Sequence, residues 1–110
     1  MYLILTVFFF LFNSSELIIG EEKVFPVAAN AGRKEELEYL VNETRRIAGK
    51  IDVLVSNAGV NPHYGPMSDI SDEAFDKTMA TNVKSNHWLC KMVTPDMEER
   101  GGGSIMITSS

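Results

Sequence analysis

The residues of this 110-residue chain best suited to chemistry gather around a turn of small residues, Asn57-Ala58-Gly59, which follows the apolar run Ile51 to Ser56. Small side chains let a backbone approach a bulky ligand closely, so such a turn after a strand is a candidate floor for a large bound molecule. The same three letters recur at Asn30-Ala31-Gly32. That copy has a weaker strand ahead of it and is read as coincidence. The other reactive residue types offer less. Cys90 is the only cysteine, so it closes no intrachain disulfide, and among apolar neighbours it is read as core packing. His63 and His87 have no ligand neighbours at metal spacing; no metal site is expected, and both are assigned to the surface or to packing. Asp52 is read as a structural residue opening a strand, and Trp88 as a core or interface anchor.

The elements that must position the turn follow from pattern. Val24 to Ala28 is a short apolar run containing a proline, suited to an edge strand or a strand start. Leu37, Leu40, Val41, Thr44 and Ile47 recur at helical spacing between charges, which predicts an amphipathic helix over Lys34 to Ala48, ended by Gly49. Ile51 to Ser56 is apolar and β-branched on successive positions, as in a parallel strand covered by helices. Asn57 to Asp69 holds two glycines and two prolines and should be an irregular loop. Ser71 is a candidate helix cap, with Asp72 and Glu73 where the helix dipole favours acids. Phe75, Met79, Val83, Asn86, Cys90, Val93 and Met97 continue a helical period, and Pro95 predicts a kink or a loosened last turn. Gly101-Gly102-Gly103 stops that helix, and Ser104 to Thr108 should be another buried strand. The alternation β-α-β-α-β with short joints indicates a parallel, doubly wound α/β sheet.

Three stretches in this order resemble the short-chain dehydrogenase/reductase family, in its classical, carbonyl-reductase-like form. They are Asp52-Val53-Leu54-Val55-Ser56-Asn57-Ala58-Gly59, Thr81-Asn82-Val83-Lys84, and the ending Gly101-Gly102-Gly103-Ser104-Ile105-Met106-Ile107-Thr108-Ser109-Ser110. Asn61-Pro62 and Gly65 add a weaker likeness, and the resemblance covers roughly residues 24–110. It implies an incomplete Rossmann-like sheet and an NAD- or NADP-dependent oxidoreductase that interconverts an alcohol and a carbonyl compound by hydride transfer. It further implies that Asn57, Ala58 and Gly59 line the cofactor and that Asn30 stands near the place of an adenine-contacting aspartate. By the same resemblance Asn82 supports a proton path through its backbone, and the Ser110 hydroxyl polarises the substrate carbonyl. Tyr64 is not the family's catalytic tyrosine, because it precedes Ser110 and has no lysine four residues on.

Composition is that of an ordinary globular domain, 45% hydrophobic and 23% charged. A net charge of -5 disfavours a nucleic-acid partner, and one cysteine suits a reducing compartment, so the chain is assigned to the cytoplasm. Tyr2 to Phe12 is almost unbroken apolar sequence, shorter than the roughly 20 residues of a spanning helix. Three readings stand for it: a signal or membrane-contacting segment that would make the chain exported or membrane-associated, a pair of strands of the fold, or sequence foreign to the domain. The third is adopted, giving residues 1–20 as a foreign apolar segment and 21–110 as a partial dehydrogenase domain.

The resemblance also implies a glycine-rich phosphate turn before the first helix and a tyrosine–lysine pair after Ser110, neither of which occurs in the 110 residues. The chain is therefore expected to be inactive alone, to bind NAD or NADP without tight affinity, and to be marginally stable. In the family's strand order, a gap should separate Val24–Ala28 from Val53–Asn57, which the strand reading of residues 2–12 would fill. The alternative function is a non-catalytic protein that pairs with full-length subunits of this commonly homo-oligomeric family.

Overall fold

A computed structural model of the chain describes residues 3–6 and 25–109. Three parallel strands form one sheet in the order β1 (Leu3–Thr6), β2 (Val53–Ser56), β3 (Ser104–Ile107). Leu3 stands opposite Val53 and Val53 opposite Ser104, so the strands are in step along their length. Helix α1 (Lys34–Ala48) precedes β2. A long helical arm precedes β3: α2 (Asp72–Met79), a π-helical turn (Ala80–Lys84) and α3 (Ser85–Glu99). Strands laid down in sequence order and joined by right-handed crossovers place their helices on one face. Accordingly, α1 and α3 pack against each other over β2.

Helix α1 has the bounds its periodicity predicts. Glu35 and Glu36 lie in its first turn, Arg45 and Arg46 in its last, and Gly49 leaves it at φ 88°, a conformation that costs other residues a steric penalty. Its buried face, Leu37 and Val41, meets Ile51 and Leu54 from the β2 segment and Leu89, Val93 and Met97 from α3. Each such aliphatic side chain contributes about 1.5–3 kcal/mol by leaving water.

The helical arm departs from the simple period. The π turn inserts an extra residue, with the Ser85 N–H reaching back to the Ala80 carbonyl, and this rotates everything after it. The buried stripe is Thr81, Ser85, Leu89, Val93 and Met97, spaced by four, while Phe75, Met79 and Val83 are 52%, 38% and 51% exposed. The apolar positions before and within the turn therefore do not share the core face of those after it, and Leu89, absent from the predicted period, lies at its centre. Pro95 does not interrupt α3, which runs to Glu99. Three residues before Pro95, Arg45 Nη2 donates to the Met92 carbonyl at 2.6 Å.

Two further expectations are corrected. Residues 25–28 form no strand, since Pro26 supplies no N–H for a ladder; Val24 lies outside the described residues. The place beside β2 is taken by Leu3–Thr6, where the strand reading of residues 2–12 puts one; residues 7–24 lie outside the described residues. β3 forms as predicted but is exposed at all four positions, because no described element covers it.

Helix α3 ends in a Schellman arrangement. The Gly102 N–H donates to the Met97 carbonyl (2.8 Å) and the Gly101 N–H to that of Glu98 (3.1 Å), with Gly101 at φ 86°. Gly103 then passes so close to Met97 that a Cβ there would lie 2.6 Å from Sδ and 2.9 Å from the Met97 Cβ. Near this end, Asp96 staples three elements. It pairs with Arg45 of α1 at 3.0 Å and accepts the Ile51 N–H at 3.2 Å, while its side chain is only 14% exposed. Arg100 pairs with buried Asp52 at 2.9 Å on the same side.

The hydrogen bond from Arg45, helped by that of the Ile51 N–H, holds the Asp96 carboxyl below its ordinary value of 3.8. Its folded pKa being lower than its unfolded one, its contribution is complete above pH 4 or so and fades as pH falls through the depressed value. Asp96→Asn should cost about 1–3 kcal/mol at neutral pH in urea melts, and the difference from the parent should shrink under strongly acidic conditions. Gly103→Ala should destabilise by about 1–3 kcal/mol, with part of the loss recovered in the double variant with Met97→Ala. Additive thermal shifts in that pair would refute the close approach.

Candidate functional site

In a parallel sheet all strands end on the same edge, and ligands of open α/β sheets bind beyond it. Here that edge carries Ser56, the turn Asn57-Ala58-Gly59 and the exit of β3, where the Thr108 N–H donates to the Ser56 carbonyl at 2.9 Å. Above it stands the π turn.

Asn82, within that turn, uses its side-chain amide on the backbone of one residue. Its Oδ1 accepts the Val60 N–H at 2.8 Å and its Nδ2 donates to the Val60 carbonyl at 2.9 Å. An amide side chain presents one donor and one acceptor face and so mimics a strand partner for Val60. Gly59 lies directly below: a Cβ there would meet Asn82 Oδ1 at 3.7 Å, an ordinary contact, and nothing else within 4 Å. Protein packing therefore leaves room over Gly59, and its surface is exposed.

Asn30 reaches the same end of the molecule from the segment before α1. Its Oδ1 accepts the Gly32 N–H at 2.9 Å, its carbonyl accepts the Arg33 N–H at 3.0 Å, and its own N–H donates to Glu36 Oε1 at 3.1 Å. The turn so formed presses on the π turn, since a Cβ on Gly32 would lie 2.8 Å from Thr81 Oγ1. The second Asn-Ala-Gly triplet thus has a packing reason for its glycine. The structure brings together Asn57, Ala58, Gly59, Asn82 and the Asn30 turn. Ser110 lies outside the described residues; β3 ends at Ile107, and Thr108 and Ser109 carry the chain on past this edge.

Sequence reasoning missed Ser56, Thr81, Ser85 and Asn86. Ser85 Oγ donates to the Thr81 carbonyl at 2.5 Å, Asn86 Nδ2 to the Asn82 carbonyl at 3.0 Å, and Ser56 Oγ to Asn86 Oδ1 at 2.5 Å. The signal available was the density of Ser, Thr and Asn in a helical stretch, where such residues compete for backbone groups. The hydrogen-bonding groups that tie the turn to the π turn are uncharged amides, hydroxyls and backbone groups. Among the described residues there is no cluster of three or more His, Cys, Asp or Glu able to hold a metal, and no helix long and apolar enough to cross a membrane.

Comparison with known proteins agrees with this geometry. The family model described as short chain dehydrogenase matches residues 14–110. Dehydrogenase/reductase SDR family member 4 of Homo sapiens is 47% identical over 81 residues, 74% of this chain and 29% of that protein. The Caenorhabditis elegans protein of the same name is 35% identical over 91 residues, 83% of this chain and 35% of that one. This chain thus spans about a third or less of the length of these curated relatives. Among solved structures, a 7 alpha-hydroxysteroid dehydrogenase complexed with NADH and 7-oxo glycochenodeoxycholic acid superposes with a TM-score of 0.69 at 33% identity, over 74% of this chain and 31% of that one. Levodione reductase gives 0.76 at 26% identity, over 82% and 35%. The sheet is an incomplete Rossmann-like one.

Gly32→Ala should push the Asn30 turn away from Thr81 and cost about 1–3 kcal/mol. Equal urea midpoints for variant and parent would show that the two turns do not touch.

Proposed function

Because this chain belongs to the short-chain dehydrogenase family, we propose that it is a segment of a nicotinamide-dependent oxidoreductase that interconverts an alcohol and a carbonyl compound. The observation that carries this is the Asn57-Ala58-Gly59 turn, held at the carboxyl edge of the sheet by Asn82 with room left above Gly59. A dinucleotide fits such a place, because a turn without bulky side chains lets its backbone approach a flat, extended ligand. In this reading Asn57, Ala58 and Gly59 line the cofactor, and Asn30 borders its adenine end. The bound cofactor supplies or accepts the hydride.

The chain's own residues then orient and move protons. Asn82 has its side chain committed to Val60, so its part in the proton path is played by its backbone. Ser110 places a hydroxyl at the substrate's carbonyl oxygen, where a donor stabilises developing negative charge. NAD and NADP are both compatible with these residues. The substrate is a small alcohol or carbonyl compound, the compartment is the cytoplasm, and nucleic acid is no partner of an acidic surface. We read residues 1–20 as foreign in origin to the domain of residues 21–110, with Leu3–Thr6 occupying the place beside β2. The family match, residues 14–110, begins beyond Tyr2–Phe12 but takes in residues 14–20.

A second reading, a non-catalytic subunit that pairs with full-length family members, is favoured by one observation. Phe75, Met79 and Val83 expose an apolar strip along α2 and the π turn. The 110 residues alone are not expected to bind NADH or NADPH tightly, and micromolar affinity in a fluorescence titration would overturn that. The catalytic reading is tested by transplanting residues 30–110 into the human relative in place of its matching segment. The chimera should retain NAD(P)H-dependent carbonyl reduction, and Gly59→Val within it should reduce kcat/KM by about 100-fold or more by blocking the cofactor. An inactive chimera that folds and binds cofactor would favour the second reading.

A further inference from the structure

We propose that Asn86 is a positioning residue for the Asn57–Gly59 turn, acting with Ser56 as the second of two clamps on its flanks. The first clamp is Asn82, which grips Val60 immediately after the turn through two hydrogen bonds. The second grips Ser56 immediately before it. Ser56 is 1% exposed, and its Oγ donates to Asn86 Oδ1 at 2.5 Å. The two clamps are joined, because Asn86 Nδ2 donates to the Asn82 carbonyl at 3.0 Å. Asn82 and Asn86 lie one helical turn apart and so project on one side of the arm.

The direction of each bond is forced. A backbone carbonyl only accepts, so the nitrogen of the Asn86 amide must face Asn82, leaving its oxygen for Ser56, whose hydroxyl then donates. No other side chain of similar size supplies both faces. Asp keeps the acceptor for Ser56 but sets an oxygen against the Asn82 carbonyl, and Leu supplies neither group. With both flanks tied to one helix, the three turn residues between them have their ends fixed. The bearing of this on cofactor binding rests on the assignment of the turn made above, while the clamp itself does not.

The test is amide hydrogen exchange on the full chain, comparing Val60 with Leu89 and Val93 in the α3 core. The variants are Asn86→Asp and the apolar pair Ser56→Ala with Asn86→Leu, which removes both side chains of the Ser56–Asn86 hydrogen bond together. Exchange at Val60 should quicken about tenfold relative to the core amides in both, because local opening is released while global stability holds. Val60 exchange that is unchanged, or that rises only in step with the core amides, overturns the positioning role. So does loss of folding in both variants, which would make Asn86 a packing element. No cofactor enters this measurement, so its outcome is separable from that of the chimera.

Discussion

The extra residue in the turn Ala80–Lys84 is the constraint on which the arrangement of this molecule depends. An α-helix carried straight from Asp72 to Glu99 would keep Phe75, Met79 and Val83 in phase with the later apolar positions. The π turn rotates the arm instead, so that Thr81, Ser85, Leu89, Val93 and Met97 bury against α1 and β2. The same rotation brings Asn82 over Val60 and Asn86 over Ser56. Such a turn strains the regular hydrogen-bond ladder, and here side chains answer the disturbance: Ser85 donates to the Thr81 carbonyl and Asn86 to that of Asn82. Packing and site geometry are therefore two consequences of one irregularity.

The two ends of the layer are held by different physics. At the carboxyl edge, hydrogen bonds among uncharged amides, hydroxyls and backbone groups position a turn without placing a fixed charge in it. At the opposite end, charged pairs join the elements: Arg45 with Asp96, Arg100 with Asp52 and Lys50 with Glu99. Only those that are partly buried carry weight. Asp96 sits close to Arg45 and to the Ile51 N–H with little water around it, whereas the Lys50–Glu99 pair is mostly exposed and contributes little.

The sheet presents more apolar surface than it covers. β3 pairs with β2 along its full length, yet Ile105, Met106 and Ile107 are exposed. Strands of this composition are normally buried on both faces in parallel sheets. The matched segment is 29–35% of the length of these relatives, and the layer seen here corresponds to one part of their fold.

The sequence by itself determined the local elements whose causes are local. Helix α1 was readable to the residue, because Leu37, Leu40, Val41, Thr44 and Ile47 recur at helical spacing and Gly49 can take the left-handed exit. The cap at Ser71 and the stop at Gly101-Gly102-Gly103 were readable for the same kind of reason. The likeness to short-chain dehydrogenases was readable too, since Asn57-Ala58-Gly59, Asn82 and the final strand occur in order. Tertiary structure alone decided what depends on groups far apart in the chain. The phase slip at Ala80–Lys84 leaves no mark in a period count, so Leu89 went unnoticed and Phe75 was assigned to the wrong face. Asn82 on Val60, Asn86 on Ser56, Gly32 against Thr81 and Gly103 against Met97 are contacts between separate segments. No spacing along the sequence encodes them, because each exists only once the helical arm has been laid across the end of the sheet.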